Sequence, residues 1–147
     1  MSETMNVDIC VIGGGAGGLA VAAGAAQMGA KTVLLEKHKM GGDCLNYGCV
    51  PSKALLAAGH AAQSVRKADY FGITAAGLTS RSKDIYDRVR GVIGAIEPQD
   101  SVERFEGLGV KVIKAAGKFV GLQEVEANGV RIKARRVVVS TGSTVFV

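Results

Sequence analysis

Near the start of this chain an apolar run, Val7-Asp8-Ile9-Cys10-Val11-Ile12, stops at a cluster of glycines, Gly13-Gly14-Gly15-Ala16-Gly17-Gly18. A short β-branched run ended by glycine suits a strand buried on both faces. The residues from Ala16 to Met28 are mostly small, and Gly29 closes them as a helix C-terminus would. Lys31-Thr32-Val33-Leu34-Leu35-Glu36 reads as a second buried strand. Strand, turn, helix and strand together make a βαβ unit of about thirty residues.

The glycines follow the spacing G-x-G-x-x-G, and in this setting each has a physical task in holding a dinucleotide. Gly13 permits the tight turn, Gly15 lets backbone approach a pyrophosphate, and Gly18 lets helix and strand pack closely. The helix N-terminus offers free N–H groups and the positive end of its dipole to the anion. Glu36, eighteen residues beyond Gly18, is placed to accept hydrogen bonds from an adenosine ribose.

No charged residue lies between Ile9 and Ala26, yet six glycines fall in that window and no Lys or Arg precedes it. That argues against a spanning helix or a secretory signal. A soluble, cytoplasmic protein with no membrane span is the expectation. The net charge of +5 comes from dispersed residues. Its densest run, Lys133-Ala134-Arg135-Arg136, reads as a solvated turn, and without a recognition motif it gives no reason to expect nucleic-acid binding.

Further along, a helix is expected to open near Cys49-Val50-Pro51 and run to about Lys67, with Pro51 in its first turn. Asp69 to Ser80 reads as loop. Ile85, Val89, Val92 and Ile96 share one helical face, and Pro98 kinks or restarts that helix. Short strands follow at Val110–Ile113, Lys118–Val120, Glu124–Ala127 and Val130–Lys133, with Asn128-Gly129 as a hairpin turn. Arg136 to Gly142 reads as a further buried strand ending in a glycine turn. The fold class is therefore α/β: a Rossmann-like parallel sheet with helices and an inserted antiparallel β segment.

The second motif is Gly41-Gly42-Asp43-Cys44-Leu45-Asn46-Tyr47-Gly48-Cys49-Val50-Pro51-Ser52-Lys53. A disulfide between Cys44 and Cys49 would close so short a loop that chain entropy contributes only about 2 kcal/mol. Such a link is more useful as redox chemistry than as a staple. The C-x4-C spacing is not that of a thioredoxin or zinc site, and with only Cys10, His38 and His60 left as ligands no metal site is expected. Cys10 reads as a small core hydrophobe. A cysteine beside a helix N-terminus is the more readily ionised kind.

With both motifs in hand, the chain resembles the flavin-dependent pyridine nucleotide–disulfide oxidoreductases, the family of dihydrolipoamide dehydrogenase, glutathione reductase and mercuric reductase. The likeness rests on Val11–Gly18, on Leu35-Glu36-Lys37, on the segment Gly41–Lys53 and on Ser140-Thr141-Gly142-Ser143. It implies that FAD is the cofactor and NAD(P)H the co-substrate, and that the cofactor contacts fall at Gly13, Gly15, Gly18, Glu36, Lys37, Gly41, Gly42, Asp43, Cys44, Lys53, Gly117, Thr141, Gly142 and Ser143. It further implies that Cys49 is the thiolate lying against the flavin, that Cys44 exchanges with substrate, and that Lys53 approaches the flavin ring. Gly117 would place its backbone at the adenine. Asp43 stands where the family commonly has Thr, and an acid there is repelled by a pyrophosphate unless it turns away or is bridged.

The resemblance also implies a homodimer acting on a small disulfide, a dithiol or a metal ion. Residues 1–147 are expected to form an incomplete FAD-binding domain whose pyridine-nucleotide and dimerisation domains lie outside this chain. Dihydrolipoamide dehydrogenase-like activity is the leading expectation. A mercuric or glutathione reductase-like enzyme, or a non-catalytic FAD- or nucleotide-binding module, is the alternative.

Overall fold

The computed structural model describes residues 4–143. Strand β1 (Thr4–Ile12) leads through the glycine turn into helix α1 (Ala16–Gln27), which returns to β2 (Thr32–Leu35). Helices α2 (Gly42–Asn46) and α3 (Cys49–Arg66) follow, then α4 (Ser82–Ile96) and α5 (Val102–Gly107). Strands β3 (Val110–Ile113), β4 (Lys118–Gly121), β5 (Glu124–Ala127) and β6 (Val130–Val139) complete the order.

All six strands form one sheet in the order β3-β2-β1-β6-β5-β4. The first four are mutually parallel, and β5 and β4 continue the sheet antiparallel. β1 lies inside the parallel half, so its last three residues, Cys10 to Ile12, are buried on both sides, and successive residues serve different cores. Val11, Leu34, Val110 and Val112 face α1 and α5 and pack with Leu19, Ala22 and Phe105. Cys10, Ile12, Val33 and Leu35 face the other way, where Val125, Ala127, Ile132 and Ala134 of the antiparallel strands pack with them.

Two sequence expectations are corrected. The segments expected as separate strands, Val130–Lys133 and Arg136–Val139, are one ten-residue strand, β6. The basic run inside it is therefore no turn. Lys133 and Arg135 occupy solvent-facing positions while Ala134 between them is buried and donates its N–H to the Gln123 carbonyl at 2.9 Å. Lys133 pairs with Glu124 at 3.3 Å and Arg135 with Asp8 at 3.3 Å.

Of the two outcomes expected at Pro98, the helix restarts. A 3-10 turn over Glu97–Asp100 ends at Ser101, whose hydroxyl accepts the Arg104 N–H at 3.2 Å and caps α5. The segment expected as loop after residue 69 opens with a 3-10 turn, Ala68–Phe71. The stripe of α4 faces α3, with Val89 buried and Ile85, Val92 and Ile96 half-buried. Asn128 (φ 50°) and Gly129 (φ 78°) form the expected hairpin turn.

Candidate nucleotide and thiol site

The carboxyl ends of β1, β2 and β6 converge on the glycine turn, the place where open α/β sheets bind ligands. Gly13 has φ +110°, and a Cβ there would lie 2.2 Å from the Ser140 carbonyl oxygen. At Gly18 a Cβ would lie 1.8 Å from the Gly13 carbonyl oxygen. Both glycines are thus required by close backbone approach. The Ser140 hydroxyl locks the turn from the third strand, with its oxygen 3.1 Å from both the Ile12 and Gly13 carbonyl oxygens.

A second glycine pair closes on the first. Gly41 donates its N–H to the Gly14 carbonyl at 2.9 Å, and Gly15 and Gly41 form a parallel β-bridge. Gly42 adopts φ +53°, and a Cβ on it would sit 2.7 Å from the Gly15 Cα. No side chain caps the N-terminus of α1, so the N–H groups of its first turn are left for another acceptor, whereas in α2 the Gly42 N–H donates to the Lys39 carbonyl at 3.3 Å.

Glu36 is buried at the end of β2. One carboxylate oxygen accepts the Gly14 N–H and the other the His38 N–H, each at 2.6 Å. Each oxygen keeps a further lone pair for a ribose hydroxyl. Lys37 is exposed beside it, and the Lys114 ammonium donates to the His38 carbonyl. Gly117 packs over Leu35, since a Cβ there would be 2.7 Å from Leu35 Cδ1. Thr141, Gly142 and Ser143 are exposed just past the end of β6.

Cys44 is half-buried in the single turn of α2, and Cys49 is the exposed first residue of α3. Both are free thiols here. The neighbouring Cys49 thiol pushes the Cys44 thiol above its ordinary pKa, with burial acting in the same direction and the Lys53 charge opposing both. Lys53 lies one turn into α3, exposed. Asp43 is exposed in the first turn of α2. Cys10 sits apart in the sheet core, where burial pushes its thiol up to about 11.

Three residues that sequence reasoning passed over belong to this arrangement. Gly14 lies against Glu36 and Met40, each 3.2 Å from where its Cβ would be. Asn46 donates its side-chain amide to the carbonyls of Met40 at 3.1 Å and Gly42 at 2.9 Å. Ser140, quoted only within a longer motif, is the lock described above. The first of these could have been suspected from three glycines standing in succession.

A glycine clasp at the end of a parallel sheet, beside a buried acid and a helix terminus without a cap, defines a dinucleotide-binding α/β domain. The sequence model of the pyridine nucleotide-disulphide oxidoreductases matches residues 7–147, and the chain belongs to that family. It is 36% identical over 143 residues to a dihydrolipoyl dehydrogenase of Chlamydia trachomatis, covering 92% of this chain and 30% of the relative. It is 33% identical over 148 residues to a dihydrolipoyl dehydrogenase of Acholeplasma laidlawii, covering 95% and 42%. It is 32% identical over 140 residues to a mercuric reductase of Lysinibacillus sphaericus, covering 95% and 26%. The chain thus spans well under half the length of these relatives.

Enzymes of this family are FAD-dependent and use NAD(P)H. The residues fit the ADP half of FAD: Gly15, whose missing Cβ would meet only the Gly42 Cα at 3.9 Å, leaves backbone bare where a pyrophosphate must approach, and Glu36 has acceptor capacity for a ribose. Among the described residues no helix is long and apolar enough to cross a membrane.

Proposed function

We propose that this chain is the FAD-binding part of an enzyme that moves electrons between NAD(P)H and a small disulfide or dithiol through Cys44 and Cys49, in the manner of a dihydrolipoamide dehydrogenase. The observation that carries the reading is the placement of Cys44 in the helical turn that begins at Gly42, beside the Gly15–Gly41 bridge, with Cys49 opening the helix that follows. When bound, FAD supplies the two-electron relay between nicotinamide and the thiol pair. Gly13, Gly15, Gly18, Gly41 and Gly42 hold its pyrophosphate, Glu36 its ribose, and Lys53 lies on the flavin side of α3. Lys37, Gly117, Thr141, Gly142 and Ser143 line the remaining contacts, and Asp43 turns outward from the phosphates.

With the pair reduced, the Cys44 thiolate attacks one sulfur of a substrate disulfide and releases the other as a thiol. Cys49 then attacks Cys44 in the mixed disulfide, releasing the second thiol and leaving Cys44–Cys49 oxidised. Two electrons pass to the substrate and two protons accompany them. In the dihydrolipoamide direction the same steps run in reverse. The reading includes a cytoplasmic homodimer. The similarity to a mercuric reductase supports a second reading, in which the two thiolates bind a mercuric ion and present it for reduction.

The test uses the full-length protein with FAD, NADH or NADPH, and lipoamide, oxidised glutathione or mercuric ion in turn. Turnover with one of them that is lost in both Cys44→Ser and Cys49→Ser supports the reading and names the substrate. Turnover indifferent to both replacements, or FAD retention without any thiol-dependent turnover, overturns it; the second result leaves a non-catalytic flavin-binding module.

A further inference from the structure

We propose that Asn46 is the positioning residue that sets the geometry of the thiol pair by tying the turn carrying Cys44 to the nucleotide clasp. The inference rests on reading Cys44 and Cys49 as the redox pair. It starts from a mismatch in the elements that bear them. Cys49 opens α3, a helix of 18 residues, whereas Cys44 rides on α2, a helix of five. A helix that short does not hold itself in water. Its N-cap, Gly41, has no side chain with which to secure it.

Bonds at its two ends therefore have to fix α2, and two groups supply most of them. The Asp43 carbonyl accepts the N–H groups of Tyr47 at 2.9 Å and Gly48 at 2.6 Å, closing the C-terminal end. The amide of Asn46 spends both its hydrogens on the N-terminal end, one on Met40 just before the Gly41–Gly42 pair and one on Gly42 itself. Gly41 is in turn bonded to Gly14 across the clasp. The chain of bonds thus runs from Asn46, between the two thiols in sequence, to the turn expected to hold the pyrophosphate.

The four residues separating the cysteines divide the work. Leu45 is buried, Gly48 lies so near the Asp43 carbonyl oxygen that a Cβ would be a tight 3.0 Å from it, and Tyr47 is exposed under the Lys39 ammonium at 5.8 Å. Asn46 alone supplies polar side-chain bonds to the clasp. Without them α2 keeps only backbone bonds, and Cys44 samples positions away from Cys49.

The readout is the equilibrium of the purified chain with glutathione: the Cys44–Cys49 dithiol plus oxidised glutathione gives the protein disulfide plus two reduced glutathiones. Asn46→Asp keeps the shape and removes the donors, and Asn46→Ala removes them without crowding. Both are expected to lower the equilibrium constant for disulfide formation tenfold or more, a shift of roughly 30 mV. Circular dichroism and the melting temperature of the reduced proteins are followed in parallel. A lowered constant in a variant that retains its native spectrum supports the proposal. An unchanged constant in either folded variant, even with a lower melting temperature, overturns it and leaves Asn46 merely structural. A wild-type chain that forms no Cys44–Cys49 disulfide at all overturns both this inference and the function it rests on, and so is told apart from failure of Asn46 alone.

Discussion

Replacing Gly18 with alanine puts a methyl group 1.8 Å from the Gly13 carbonyl oxygen and 2.7 Å from the Ser140 hydroxyl. The first of these neighbours is backbone in the tightest turn of the molecule, so α1 has to move off β1. Overpacking of this kind costs about 1–3 kcal/mol, and a backbone clash belongs at the upper end. Displacing the Ser140 hydroxyl from Gly13 adds roughly 0.5–1.5 kcal/mol, offset by a gain of about 0.5–1 kcal/mol for alanine over glycine in a helix. The net cost is about 3 kcal/mol, which for a domain of this size lowers the melting temperature by roughly 6–12 °C. Gly17, its neighbour, has nothing within 4 Å of its would-be Cβ. Gly17→Ala should therefore raise the melting temperature by roughly 1–4 °C through helix propensity alone. Thermal unfolding of the two variants, without nucleotide, is the assay. Equal effects from adjacent glycines would refute the close packing of turn and helix on which the nucleotide clasp depends.

Glu36→Ala removes a buried carboxylate and strands the N–H groups of Gly14 and His38, so FAD affinity should fall about tenfold to a hundredfold or somewhat more; an unchanged dissociation constant by flavin fluorescence would mean the ribose is held elsewhere. Cys10 has a folded-state pKa of about 11 against an ordinary 9.0. The fold thus binds the thiol proton more tightly than the unfolded chain does, and this contribution is complete below pH 9 and lost as pH rises through 11. Its size is roughly 2–3 kcal/mol. Cys10→Ala should show a shallower loss of stability than wild type between pH 8.5 and about 11 in urea unfolding, and parallel pH curves would remove the effect.

The half of the fold that holds the clasp was legible because backbone stereochemistry dictates it. Gly13 and Gly18 occupy positions where no other residue fits, so their spacing carries the turn, the helix start and the strand order together. The same holds for the Asn128-Gly129 hairpin. β6 was misread because its charges suggested solvent, whereas Lys133 and Arg135 occupy only the outward positions of a strand whose Ile132 and Ala134 are buried. Helix α2 was invisible because it is five residues with no N-terminal cap, held by the side-chain bonds of Asn46 to Met40 and Gly42 rather than by any periodic pattern. Local signals existed for α5, where Ser101 caps three residues ahead of Arg104. The structural partners of Gly14 and Ser140 lie 22 and 127 residues away in sequence, beyond the reach of any local pattern.

If the two thiols beside the clasp have different tasks, Cys49 against the flavin and Cys44 toward substrate, they differ in the visible spectrum of the FAD-loaded full-length protein. That spectrum is recorded after reduction by two electrons, in wild type, Cys44→Ser and Cys49→Ser. A long-wavelength thiolate–flavin charge-transfer band should persist when Cys44 is replaced and disappear when Cys49 is replaced. A band that survives loss of Cys49 and vanishes with Cys44 would reverse the assignment, and a band unaffected by either would contradict the claim outright.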